Sequence, residues 1–458
     1  MSKKIGFVMM LVALCALSVF LVNCGSSSHH PTGVLYVLTE GVTAEGSASG
    51  QGNNISSYAI DLNTGVLTLI NYNPSTCPTA ATSTNSEPCG IPIGITLDPT
   101  GDAAFVLDQG VPTANPPILP AIYPYTTNSD GSLTGPGTGV NWTTVPDTAT
   151  AMTKDSAGQF LFVINEGVLP PQAGCPGSGA GCPSVSVFGI TSGTTNLTLE
   201  SGSPFYLSKI PSALSTVTFT PAGSSTAQEF LFVTNNQDIC TTGCVPPSPH
   251  NDNTLSVYSV SSTGVLTEQT SLGSPYTVPS SDPISVLAVN TNPSGESTGG
   301  IFVYVGSYPT GAGALNVFQL CAQSGQANCP VGVALGTLVP SPTSPPATGE
   351  KPVALVVDPT NNYLFAACQV SNQVFGYRIG VTTGALTVLT PASQPSQGSQ
   401  PVSLALQASI NEGGEYLYVS NQNSSSIGGF TVSTTTGALS GATQVISNPG
   451  PSGLATQQ

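Results

Sequence analysis

Five charged side chains stand where a repeating chain could bring them together. Glu40, Asp108 and Glu166 each fall at the end of a run rich in aromatic and β-branched residues: VLYVLTE, AAFVLDQ and FLFVINE. A carboxylate so placed could take the proton of an attacking water. Three of them near one axis could also hold Ca²⁺, helped by Asn165, Asn235 and backbone carbonyls. The competing reading is three solvated strand-end acids, and it is the expectation here, because no continuous EF-hand loop or Gly/Asp repeat accompanies them; no metal or other cofactor is expected. Lys209 and Lys351 lead into further apolar runs and could stabilise the negative charge that develops when an acyl carbonyl is attacked. Beyond these five the chemistry is sparse. The chain has three His (His29, His30 and His250) and a single Arg, Arg378, which falls inside an apolar run. Cys368 could act as a nucleophile if His250 approached it, but a small buried core residue is the expectation.

The elements that would position these groups are repeats. Lys351 to Val388 reads as a complete β-meander: VALVV, a DPTNN turn, YLFAA, then QVFGY, and a TTG turn into ALTVL. Its second run recurs seven times, beginning at Val34, Ala103, Phe160, Phe230, Ile301, Tyr363 and Tyr416. The preceding run has six internal copies, starting near Ile91, Thr148, Pro211, Pro283, Pro352 and Pro401. Its seventh copy lies at the far end of the chain, in Pro451 to Thr456. Third runs such as NISSYAI, SVSVFGI, TLSVYSV, ALNVFQL and QVFGYRI follow, then fourth runs after Gly-containing turns. Repeats two and five match least closely. A chain that begins at the second strand of one blade and ends with that blade's first strand can close a ring. The fold class expected is therefore all-β: a seven-bladed β-propeller of four-stranded antiparallel blades over residues 33–458, closed by pairing of the N- and C-terminal strands.

Composition narrows the setting. Only 6% of the 458 residues are charged, against about 25% in ordinary globular domains. The net charge of −16 and a pI near 4.1 exclude a phosphate-reading, nucleic-acid-binding surface. Lys3 and Lys4 precede an apolar run from Ile5 to Val22, the layout of a secretory signal over residues 1–23. Leu21-Val22-Asn23-Cys24-Gly25 then resembles a bacterial lipobox, which implies that Cys24 carries lipid and that residues 24–32 form a tether. Asn23 departs from the small residue usual there, and a plain signal peptide or an uncleaved anchor remain alternatives. All three place the chain outside the cytoplasm, on the periplasmic or cell surface. Eight of the 11 Cys fall into close pairs: Cys77 with Cys89, Cys175 with Cys182, Cys240 with Cys244, and Cys321 with Cys329. Four local disulfides are expected, as suits an oxidising compartment. Half a zinc site at Cys240 and Cys244 is the weaker alternative, since no second half is visible.

The repeat form P-x-x-(apolar run)-D-P-(T/S)-(G/N), then (Y/F)-L-(Y/F)-V-x-N, S-V-x-(Y/F)-x-(I/V) and T-G-x-L-T resembles the lactonase-type seven-bladed propellers. That family includes phosphogluconolactonases and cycloisomerases, and the resemblance covers nearly the whole chain after the leader. It implies the fold; function would follow by analogy only. It also implies that loops entering the first strands share one face with those joining second to third strands. That face would carry Glu40, Asp108, Glu166, Lys209 and Lys351, and the long connections 41–53, 110–117, 167–183 and 237–253. A phosphorylated lactone would need several cations, and few are present. The expectation is a lipid-anchored binding module at the cell envelope, monomeric, taking a glycan, a peptide or an envelope protein; a hydrolase of a neutral lactone is the alternative.

Overall fold

An extended strand sends successive side chains to opposite faces. In Val34–Thr39 this puts Val34, Tyr36 and Leu38 on one side and Leu35 and Val37 on the other, and all five are buried. Such a strand needs apolar cover on both faces, which one sheet cannot give itself. The computed structural model describes residues 33–40, 54–73, 91–110, 119–142, 148–167, 182–220, 226–238, 252–291, 299–309, 311–322, 326–342, 346–408, 414–447 and 450–457. In it the cover comes from neighbouring sheets. Seven antiparallel sheets each follow the order of four strands expected from the repeat, and three of them add a short extra strand.

The second strands are Val34–Thr39, Ala103–Asp108, Phe160–Asn165, Gln228–Asp238, Ile301–Ser307, Tyr363–Cys368 and Glu415–Asn421, in blades 1 to 7. Seven hydrophobic clusters fill the junctions between adjacent blades. One side of each second strand feeds the junction before it and the other side the junction after. Tyr36 and Leu38 pack with Val106 and Tyr125 of blade 2, for example, while Leu35 and Val37 pack with Tyr418 and Ile427 of blade 7. Two second-strand tyrosines bond the next blade's turn: Tyr304 Oη donates to Gly384 O at 3.0 Å and Tyr418 Oη to Gly65 O at 2.9 Å.

Closure is by the terminal strands. Pro451–Gln457 pairs with Val34–Thr39 along its length, and Gly450 O accepts from the Glu40 amide at 2.7 Å. The innermost strands are Pro451–Gln457, Pro92–Leu97, Ala149–Lys154, Lys209–Phe219, Pro283–Asn290, Pro352–Val357 and Pro401–Gln407. Each shifts register within its first residues. A proline fits the first position because no ladder bond is asked of its nitrogen, and the bulge that follows turns the strand into the channel wall. Hydroxyls beside the bulges tie blade to blade: Ser212 Oγ donates to Pro283 O at 2.7 Å, Ser285 Oγ to Pro352 O at 2.6 Å and Ser452 Oγ to Pro92 O at 2.7 Å.

The opposite face is built from Asp turns. Asp98, Asp155 and Asp358 follow innermost strands, and Oδ1 of each accepts the amide of the residue that starts or precedes the second strand's apolar run. The donors are Ala103 at 2.9 Å, Phe160 at 2.8 Å and Tyr363 at 2.6 Å. At Asp358 the carboxylate also takes the Asn362 and Thr360 amides and the Thr360 hydroxyl. Cys321 and Cys329 form a disulfide after the third strand of blade 5. Cys182 is also disulfide-bonded, while Cys77, Cys89, Cys175, Cys240 and Cys244 lie outside the described residues, as do residues 1–32, on which the expected signal, lipidated Cys24 and tether fall. No helix of the described residues is long and apolar enough to cross a membrane. Because Asp358 is 2% exposed, Asp358→Ala strands buried amides; it should lower unfolding free energy by about 1–3 kcal/mol, read from the midpoint of denaturant unfolding.

Candidate functional site

Innermost strands begin, and second strands end, on the same face, so the side chains at those positions surround one mouth of the channel. Four of the residues just before the opening prolines have left-handed backbone: Asp282 at φ 54°, Lys351 at 58°, Gln400 at 56° and Gly450 at 68°. They belong to blades 5, 6, 7 and 1 in succession. For residues other than glycine this conformation costs about 1–2 kcal/mol, and such strain collects where side chains are aimed for function. The carbonyls of the first three are fixed by the amides of Tyr308, Gln369 and Gln422, each at 2.9 Å.

Between blades 6 and 7 this arrangement frames an open cleft of about 450 Å³. Lys351, Gln369, Val370, Asn372, Ser399, Gln400 and Asn423 line it. Its polar groups are one ammonium, four carboxamides and one hydroxyl, with no carboxylate. Asn372 Oδ1 accepts the Gln400 amide at 2.7 Å, and the Ser399 amide donates to Ser424 Oγ at 2.9 Å, so the two blades' loops hold each other. Asp282, on the neighbouring blade, has its carboxyl raised by burial, while Asn236 and the Lys351 ammonium pull it back down.

The five candidates from the sequence are dispersed over this face. Lys351 lines the cleft. Lys209 pairs with Asp252 at 2.6 Å, and Asp252 is itself buried. Glu40 turns toward blade 7, where its Oε2 accepts from Gln422 Nε2 at 3.0 Å; burial raises its carboxyl and that bond offsets part of the rise. Asp108 is 3% exposed; burial pushes its carboxyl up to about 6 although the Gly110 amide donates to it at 3.1 Å. Glu166 is half-buried, and its amide donates to Thr148 O at 2.9 Å. Among the described residues no three His, Cys, Asp or Glu come together as a metal-holding group.

Cys368 is fully buried, with its thiol 3.4 Å from Thr348 Oγ1, and burial pushes it up to about 11. It is the small core residue expected; His250 lies outside the described residues. Most of the long connections 41–53, 110–117, 167–183 and 237–253 also lie outside them. Arg378 is exposed on a third strand, and Lys154 reaches Leu97 O at 2.6 Å on the opposite face. Sequence reading did not single out Asn372, Ser399, Gln400 or Asn423. The available signal was position: Gln400 precedes an opening proline as Lys351 does.

No family model matches the chain, and no curated protein matches its sequence. Solved structures do match. A candidate 6-phosphogluconolactonase from Bacteroides uniformis aligns over 93% of this chain and 99% of its own, with 14% identity and a TM-score of 0.59. A protein from Lactobacillus plantarum covers the same shares at 13% identity and a TM-score of 0.60. A second candidate 6-phosphogluconolactonase, from Bacteroides fragilis, aligns over 94% and 99% at 14% identity, with a TM-score of 0.57. The fold is thus that of the lactonase-type seven-bladed propellers.

Asp108 gives a test of its surroundings. Its folded carboxyl holds a proton at pH values where the unfolded one, near 3.8, has lost it. Stability should therefore fall as pH rises through the window from 3.8 to about 6 and level off above it. Asp108→Asn removes the titrating group, so melting temperatures of the variant and the parent should diverge across that window, with the variant ahead at neutral pH.

Proposed function

We propose that this is an exported propeller that binds a neutral, hydroxyl-rich ligand, of the glycan class, in the cleft between blades 6 and 7. The observation that carries the reading is the cleft's donor and acceptor set. Carboxamides of Gln369, Asn372, Gln400 and Asn423 can each give and take hydrogen bonds, as sugar hydroxyls require, and the Lys351 ammonium adds a charge-assisted donor. A phosphorylated ligand fits poorly: of the two Lys on this face that the sequence singled out, Lys209 is engaged by Asp252. Export is supported by the basic and apolar leader and by the Cys321–Cys329 disulfide. A lipid anchor at Cys24 follows from the lipobox-like residues alone.

A second reading is hydrolysis of a neutral lactone. It is favoured by the fold shared with lactonase-type propellers and by an Asp108 carboxyl held near 6, within the range useful to a general base. Calorimetric titration of neutral oligosaccharides into the intact chain, alongside a panel of sugar and aromatic lactones, separates the two. Binding is expected to saturate and to weaken about tenfold or more in Lys351→Ala and Gln400→Ala, the worth of one or two hydrogen bonds. Lactone turnover that is lost in Asp108→Asn and kept in Gln400→Ala would replace the binding reading with the hydrolytic one.

A further inference from the structure

The Asp turns on the face opposite the cleft are alike except in blade 3. In Asp98-Pro99-Thr100 and Asp358-Pro359-Thr360 the threonine hydroxyl donates to Oδ2 of the aspartate. Blade 3 has Asp155-Ser156-Ala157, so no hydroxyl stands at that position; backbone amides of Gln159 and Ala157 lower the Asp155 carboxyl, yet its buried Oδ2 makes no hydrogen bond of good geometry. Asp155 is 1% exposed. Across the junction, Glu229 Oε1 of blade 4 is likewise buried and unpartnered.

Both carboxylates face the junction of blades 3 and 4, where the Asp155 charge acts on Glu229. Glu229 pairs with Thr218 in the blade 4 ladder, and Thr218 Oγ1 is 2.7 Å from the hydroxyl of Ser156, the residue next to Asp155. Lys154 attracts the Asp155 charge, but its ammonium donates its hydrogen bond to Leu97 O of blade 2 at 2.6 Å and none to either carboxylate. Two carboxylates with buried, unbonded oxygens either keep a proton or take a positive partner. We propose that the junction of blades 3 and 4 binds a single hard divalent cation of the calcium type, through Asp155 Oδ2 and Glu229 Oε1, with the Ser156 and Thr218 hydroxyls beside it.

The junction of blades 6 and 7 serves as an internal comparison. Asp358 and Glu415 hold the positions of Asp155 and Glu229, yet Asp358 already accepts four hydrogen bonds, the number its lone pairs allow. Glu415, raised to about 7 by burial and by Asp358, is thereby left to keep a proton. Glu229 is raised to about 8 by burial and by Asp155.

Thermal unfolding of the full chain, stripped with chelator and titrated with CaCl₂ at slightly alkaline pH, tests this. Calcium in the millimolar range should raise the melting temperature saturably by about 3 °C or more, and calorimetry should count one site. The shift should vanish in Glu229→Gln and Asp155→Asn and persist in Glu415→Gln. Glu229→Gln keeps shape and relieves repulsion, so it reports even where Asp155→Asn does not fold. No calcium shift, or a shift unchanged in Glu229→Gln, overturns the proposal and leaves Asp155 and Glu229 sharing a proton.

Discussion

Everything in this molecule depends on second strands that are apolar on both faces. Such a strand is stable only when sandwiched, so no blade can be complete without a neighbour on each side. Seven junction clusters satisfy this condition all the way round, the last of them joining Leu35 and Val37 to Tyr418 and Leu454. The ring is the smallest unit in which every second strand is covered. Low charge follows naturally: interior positions are spent on packing, and polar turns supply the wet surface.

That constraint explains why the fold was legible in the sequence. Period-two burial on both faces writes continuous apolar runs such as FLFVIN and YLFAAC, and seven copies in fixed order leave few architectures. The offset copy at Pro451 told how the ring closes, and Pro451–Gln457 does pair with Val34–Thr39. The site was much less legible. Lys209 was paired by Asp252 and Glu40 by Gln422, partners separated in sequence by loops or by almost the whole chain. Spacing within a repeat says nothing about such contacts. The cleft residues Ser399, Gln400 and Asn423 are ordinary polar loop residues until left-handed backbone at Gln400 and Lys351 turns them toward one space.

The two faces divide labour by chemistry. On the face of opening prolines and strained backbone, the cleft between blades 6 and 7 is lined by carboxamides, a hydroxyl and the Lys351 ammonium, while the carboxylates of that face lie elsewhere on it. The opposite face is organised by aspartates that accept amides within their own turns, and there a single missing hydroxyl, at Ala157, changes a closed turn into one with an open acceptor. Repetition makes the difference visible, since Asp98 and Asp358 show what the complete turn looks like.

Ring closure also orders events in time. Tyr36 Oη and Gln457 are 421 residues apart and meet at 2.9 Å. During synthesis the strand Val34–Thr39 emerges long before Pro451–Gln457, which covers its inner edge. Until then the chain is an open arc with an unpaired edge at each end. A chain without Pro451–Gln457 would therefore keep an unpaired edge on Val34–Thr39, the kind of edge that pairs with other chains.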